Sequence, residues 1–154
     1  MELKTKINAE NNRQDLVITR EFDLSLDLLF TAYSEPNCIE QWMGTKVLKH
    51  ENHKHGSYQF ETKDAQGNVV FSANGTIHDF LPNQKIIRTF EMENAPFGAQ
   101  LEFLEFESLA ENKSKLTIHS IFRSAELRDQ QLKMPFAAGL NWAHNKLEEI
   151  FKTN

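Results

Sequence analysis

The C-terminal stretch AELRDQQLKMPFAAGLNWAHNKLEEIFKTN, residues 125–154, carries the only long helical pattern in the sequence. Its apolar side chains recur at three- and four-residue spacing, which is typical of an amphipathic helix. Pro135 lacks the backbone donor that a helix interior needs, so we expect a break near residues 133–135 and a final helix over about 134–152. The apolar stripe consists of Phe136, Leu140, Ala143, Leu147 and Ile150, flanked by Trp142 and Phe151.

Upstream of this helix, the chain alternates between apolar and polar side chains with a period of two, which predicts strands. Short turns rich in Gly, Pro, Asn and Asp separate the segments, so consecutive hairpins should form an antiparallel meander. The expected strands cover residues 16–23, 46–51, 56–63, 69–81, 85–93, 100–109 and 115–123.

The segment LEFLEFE, residues 101–107, places apolar side chains on both phases of a strand. A bulge near residues 103–104 would turn Leu101, Phe103, Leu104 and Phe106 toward the core together. The alternative is a regular strand that is covered on both faces. We expect the bulge.

Two short helices are predicted between the first two strands. Ser25 can cap the segment LDLLFTAYSE, and Pro36 suits the first turn of a second helix, PNCIEQWM, which Gly44 would end. Residues 1–15 are polar and are expected to form either a flexible lead-in or an added edge strand before a single domain at residues 16–152.

A sheet of this kind exposes a whole apolar face, and only the C-terminal helix is long enough to cover it. The order of elements therefore predicts an α+β fold. In it, a curved seven-stranded antiparallel sheet wraps around a long C-terminal helix, with two short helices after the first strand.

Composition excludes several functions. The net charge of −5 offers no cationic surface for nucleic acid or for an anionic membrane. No apolar run approaches the roughly 20 residues that span a bilayer, and no signal segment is visible, so we expect a cytoplasmic protein. Cys38 is the only cysteine, which excludes an intramolecular disulfide.

The sequence resembles the START-like (SRPBCC) superfamily, whose fold is the Bet v-type helix grip. Within it, the sequence resembles the family of homologues of the activator of HSP90 ATPase (AHSA-type). The resemblance covers roughly residues 16–152 and rests on ITREFDLSLDLLFTAYSEPNCIEQWM (18–43), HGSYQFE (55–61) and GTIHDFLPNQKIIRTF (75–90). The family places a Trp just after Gly139, where this chain has Leu140. The resemblance implies an apolar cavity between sheet and helix, or a stress-response role beside a chaperone.

No recognisable catalytic motif is present, and we assign no catalytic residue, metal or cofactor. His50, His53 and His55 lie close in sequence but lack the spacing of a metal site. His78, His119 and His144 are isolated, and His119 is expected to face away from the cavity. Arg88 and Arg123 could anchor a ligand carboxylate if their side chains point inward.

The resemblance therefore favours, as the predicted function, binding of an apolar or aromatic small molecule between the sheet and the C-terminal helix. Core side chains could instead fill this space completely. Two other functions remain open: a module that docks on a chaperone ATPase, and a cyclase- or hydrolase-like enzyme. The chain could be a monomer or a homodimer. The candidate ligand-binding residues are Trp42, Tyr58, Phe60, Phe90, Met92, Phe122, Phe136 and Leu140.

Overall fold

Eight antiparallel strands form one open sheet in the computed structural model, which describes residues 3–152. The strands lie in the order β1-β2-β8-β7-β6-β5-β4-β3, so β3 to β8 form the predicted meander and β2 pairs with its last strand. In chain order the elements are β1 (Lys6–Asn8), β2 (Asp15–Phe22), α1 (Leu26–Ser34), α2 (Pro36–Met43), β3 (Lys46–His50), β4 (Ser57–Lys63), β5 (Val69–Leu81), β6 (Lys85–Met92), β7 (Ala99–Ala110), β8 (Lys113–Ile121), α3 (Ala125–Lys133) and α4 (Phe136–Lys152).

The prediction of seven strands is wrong, because the polar lead-in supplies an eighth. Lys6 pairs with Thr19 and Asn8 with Val17, which places β1 at the edge of the sheet beside β2. A three-residue strand is too short to show a clear alternation of apolar and polar side chains. Only its pairing with β2 identifies it as a strand.

The predicted bulge near residues 103–104 is also wrong. The pairing of β7 with both neighbours is unbroken from Leu101 to Glu105, and the register with β8 shifts only between Ser108 and Ala110. Leu104 and Phe106 are buried, whereas Phe103 is half-buried on the opposite face, where its ring lies 6.2 Å from that of His119. This strand is therefore regular, with Leu104 and Phe106 in the core and Leu101 and Phe103 half-buried on the opposite face.

The two short helices begin and end where their local signals predict. The Ser25 hydroxyl accepts a hydrogen bond from the Leu28 backbone N–H, which caps α1. Pro36 opens α2, and Gly44 ends it with a φ of 67°, a left-handed conformation that glycine adopts without strain.

The expected break near Pro135 is confirmed. Helix α3 ends at Lys133, and Met134 has the extended conformation that a following proline imposes. Helix α4 starts at Phe136 rather than Met134. None of the four helices within residues 3–152 is long and apolar enough to cross a membrane.

The face of the sheet that is turned toward the helices is here called the inner face. Even-numbered residues of β2, β4, β6, β7 and β8 point to it, because the strand period is two. Leu16, Phe60, Ile86, Leu104 and Leu116 are buried there in the core. Helices α1 and α2 contact the sheet, while α4 packs mainly on α2 and less extensively on α3 and α1.

Candidate functional site

A cavity of about 480 Å³ lies between the inner face of the sheet and helices α2, α3 and α4. It exists because the two halves of α4 pack differently. In the C-terminal half, His144, Leu147 and Phe151 are buried. In the N-terminal half, Phe136 and Leu140 remain half-buried and line the cavity.

Most of the predicted ligand-binding residues lie in the wall of this cavity. The wall includes Trp42 from α2, Phe60 from β4, Phe90 and Met92 from β6, and Phe136 and Leu140 from α4. The structure thus brings together side chains from both layers of the fold. Their role in binding stays a prediction.

Tyr58 and Phe122 lie outside the cavity wall. Phe122 is buried in the core just after β8, and its backbone N–H donates to the Gln14 carbonyl oxygen. The Tyr58 ring lies against the backbone of Gly75, and its hydroxyl donates to the Thr89 carbonyl oxygen. The guanidinium carbon of Arg88 lies 5.1 Å from the centre of that ring, so Tyr58 supports Arg88 by a cation–π contact.

A polar row crosses the inner face in the middle of this apolar wall. Arg88 on β6 pairs in register with Glu102 on β7, and Glu102 pairs with Ser120 on β8. All three residues line the cavity, whereas Arg123, the other candidate anchor, is exposed and does not. Sequence reasoning missed Glu102 because the expected bulge would have turned it outward.

Arg88 and Glu102 form a buried ion pair. Arg88 Nε lies 2.9 Å from Glu102 Oε1, and Gln100 Nε2 donates to Glu102 Oε2 at 2.9 Å. Burial alone would lower the pKa of Arg88, but the negative charges that Tyr58 and Glu102 can carry, together with the hydrogen bond to Glu102, raise it overall. The guanidinium therefore remains charged, and both oxygens of Glu102 are hydrogen-bonded.

A second polar network fixes α4 on the side of the sheet near β1 and β2. His144 is fully buried, with Nε2 lying 2.6 Å from the Tyr33 hydroxyl and Nδ1 lying 2.9 Å from the Thr5 hydroxyl. Arg20, also buried, donates to Thr5 Oγ1 and to Asn145 Oδ1. The network joins residues that are more than 100 positions apart, so no local pattern could reveal it.

Burial, with the nearby positive charge of Arg20, lowers the pKa of His144 to about 3. In the unfolded chain this histidine takes up its proton near pH 6.5, so the folded state loses stability as the pH falls below that value. Between pH 7.5 and pH 5 we expect His144 alone to lower the free energy of unfolding by about 2 kcal/mol. Urea denaturation at the two pH values measures this loss, which should be about 2 kcal/mol smaller in a His144→Gln variant than in the wild type.

Burial also lowers the pKa of His50, to about 4. Both proteins contain His50, so its contribution to the pH dependence of stability cancels in the comparison. Equal pH dependence in the two proteins would mean that His144 is not held neutral by the fold.

The remaining histidines do not form a site. His50 stacks beside Phe60, while His53 and His55 are exposed. His119 lies outside the cavity wall, as expected, and its Nε2 lies 2.8 Å from Asp15 Oδ2. Within residues 3–152, no three His, Cys, Asp or Glu side chains are grouped so that they could hold a metal ion.

Comparison with known proteins identifies both a family and a fold. The family described as "Activator of Hsp90 ATPase homolog 1-like protein" matches residues 23–152. No protein with a curated description matches the chain in sequence.

Solved structures resemble the chain over almost its full length. A crystal structure of a protein from Rhodobacter sphaeroides has a TM-score of 0.84 at 17% identity, covering 97% of this chain and all of that one. A solution structure of a protein from Arthrobacter aurescens has a TM-score of 0.83 at 18% identity, covering 97% of this chain and 92% of that one. A crystal structure of protein Ms6760 from Mycobacterium smegmatis has a TM-score of 0.78 at 18% identity, covering 95% of each chain. At these identities the likeness establishes a shared fold.

Proposed function

The chain belongs to the family of Activator of Hsp90 ATPase homolog 1-like proteins, and we propose that it binds a small, largely apolar molecule in the cavity between the sheet and α4. Family membership is consistent with a ligand-binding or a chaperone-associated module. The cavity favours the first of these two functions.

The observation that carries this proposal is a largely apolar space of ligand size between the sheet and the helices. Its volume of about 480 Å³ lies within the range of about 300–1,000 Å³ that is usual for small-molecule pockets. Phe60, Phe90 and Met92 line it from the sheet, and Leu140 lines it from α4 on the opposite side. A ligand that buries its apolar surface there gains roughly 25 cal/mol for each Å² removed from water.

Gly139 gives the sharpest test, because it leaves space in the wall. It lies on the same face of α4 as Phe136, Leu140 and Ala143, and a Cβ atom added to it would meet no heavy atom within 4 Å. A Gly139→Phe substitution should place a ring in the cavity and weaken the binding of the neutral dye N-phenyl-1-naphthylamine at least tenfold. Fluorescence titration measures this change.

The matched control is Gly139→Ala. It should bind the dye like the wild type, because a methyl group fills little of the volume, and it should be slightly more stable, because alanine favours the helix. Undiminished binding by Gly139→Phe would place the dye elsewhere. If the wild type itself fails to bind apolar probes, the proposed function is wrong.

A chaperone-associated role is the second candidate, and an exposed apolar groove favours it. Val69, Val70 and Met134 line this groove and are 48%, 62% and 47% exposed, an arrangement typical of protein contact surfaces. An unchanged turnover of an HSP90 ATPase on addition of the purified chain would remove this candidate.

A further inference from the structure

The polar row of Arg88, Glu102 and Ser120 has unused hydrogen-bonding capacity that faces the cavity. Arg88 uses Nε for Glu102, but within residues 3–152 its two terminal nitrogens have no hydrogen-bond partner. Among the described residues, the Ser120 hydroxyl and the Gln131 side-chain amide also have no hydrogen-bond partner. Ser120 is 1% exposed and Gln131 is 6% exposed. Gln131 reaches the cavity from α3.

These polar atoms are open to the cavity, because the buried side-chain atoms without a hydrogen-bond partner among the described residues lie elsewhere, on Arg20, His50, Asn52 and Ser114. An occupant that displaces water from these atoms must therefore supply at least one acceptor to the guanidinium, because a polar group that is left without a partner opposes binding. A wholly apolar occupant would leave that end of the cavity unsatisfied.

The charge in the cavity wall decides which kind of acceptor fits. Arg88 and Glu102 are the two charged residues in the wall, and together they are neutral. A ligand carboxylate on Arg88 would add a negative charge beside the buried carboxylate of Glu102, with no further cation in the wall to offset it. A neutral carbonyl oxygen accepts from the same nitrogens without that repulsion.

We infer that the cavity selects an uncharged ligand that combines an aromatic or aliphatic body with a carbonyl group. The carbonyl oxygen accepts from the terminal nitrogens of Arg88, and the body lies among Phe60, Phe90 and Leu140. Tyr58 beneath the guanidinium and Glu102 beside it hold Arg88 in place for this contact. The inference rests on the proposed function, since it names the ligand class of the same cavity.

Three probes of one size test the inference: 2-acetylnaphthalene, 2-ethylnaphthalene and 2-naphthoate. Quenching of tryptophan fluorescence at pH 7.5 gives their affinities, because Trp42 is in the cavity wall. The ratio of the affinity for the acetyl compound to the affinity for the ethyl compound should be at least tenfold higher than the ratio expected from their partition between water and octanol. The naphthoate should bind more weakly than the acetyl compound.

The double variant Arg88→Met, Glu102→Met removes the anchor without leaving a single buried charge. In it the acetyl-to-ethyl ratio should fall at least tenfold, whereas binding of the ethyl compound should persist. The control Arg123→Met replaces an exposed arginine outside the cavity and should leave the ratio unchanged. If the double variant does not fold, the three wild-type affinities still decide the inference.

The outcomes separate this inference from the proposed function. Binding of the ethyl compound with no excess preference for the acetyl compound overturns the carbonyl anchor and leaves apolar binding intact. Tightest binding of the naphthoate overturns the choice of a neutral ligand. Failure of all three probes to bind overturns both the inference and the proposed function.

Discussion

Replacing Arg88 alone by methionine is expected to lower the free energy of unfolding by about 3–5 kcal/mol, the usual cost of removing one partner of a buried ion pair. The Arg88 and Glu102 side chains are only 12% and 11% exposed. Without the guanidinium, the carboxylate of Glu102 would keep a single side-chain donor, Gln100 Nε2. Urea denaturation at pH 7.5 measures the loss.

The double variant Arg88→Met, Glu102→Met is the matched control for this prediction. Because it replaces both charges by apolar side chains of similar length, it should stay within about 1 kcal/mol of the wild type. A single variant no less stable than the double variant would contradict the buried ion pair.

A Gly75→Ala substitution is expected to cost about 2–3 kcal/mol, the upper part of the range for overpacking a core. An added Cβ atom would lie 2.0 Å from the Thr89 carbonyl oxygen and 2.6 Å from two ring carbons of Tyr58. The first of these neighbours is backbone, so β5 and β6 would have to separate. Thermal or urea denaturation measures the cost.

Gly139→Ala provides the comparison for this second prediction, because the same methyl group meets no heavy atom there. The two Gly→Ala variants should therefore differ in stability by more than 2 kcal/mol, with Gly139→Ala the more stable. Equal stability would show that the Tyr58 ring does not lie against Gly75.

Local signals in the sequence predicted much of the fold. The Ser25 cap, the glycine at the end of α2 and the break at Pro135 each depend on residues within one helical turn of the feature. The meander followed from alternation and turn residues. Elements that depend on distant partners were harder to predict from the sequence, as the short strand β1 shows.

Strand β7 explains why the site was predicted only in part. Leu101 and Phe103 lie on one phase of the strand and Leu104 and Phe106 on the other, and the sequence does not say that Phe103 is half-buried on the outer face, next to His119 of the neighbouring strand. The bulge that we expected would have turned Glu102 outward, so the sequence analysis did not identify Glu102 as the partner of Arg88. Aromatic candidates from other strands were less affected, because the phase of those strands is unambiguous.

The two edges of the open sheet also bear on how the chain behaves at high concentration. One edge is the three-residue β1, and the other is β3, which has a register shift between Val47 and Lys49 and carries exposed lysines. A short strand, an irregular strand and positive charge all discourage a second chain from adding its backbone to a sheet. An open sheet is thereby protected at both margins against the uncontrolled growth that leads to aggregation.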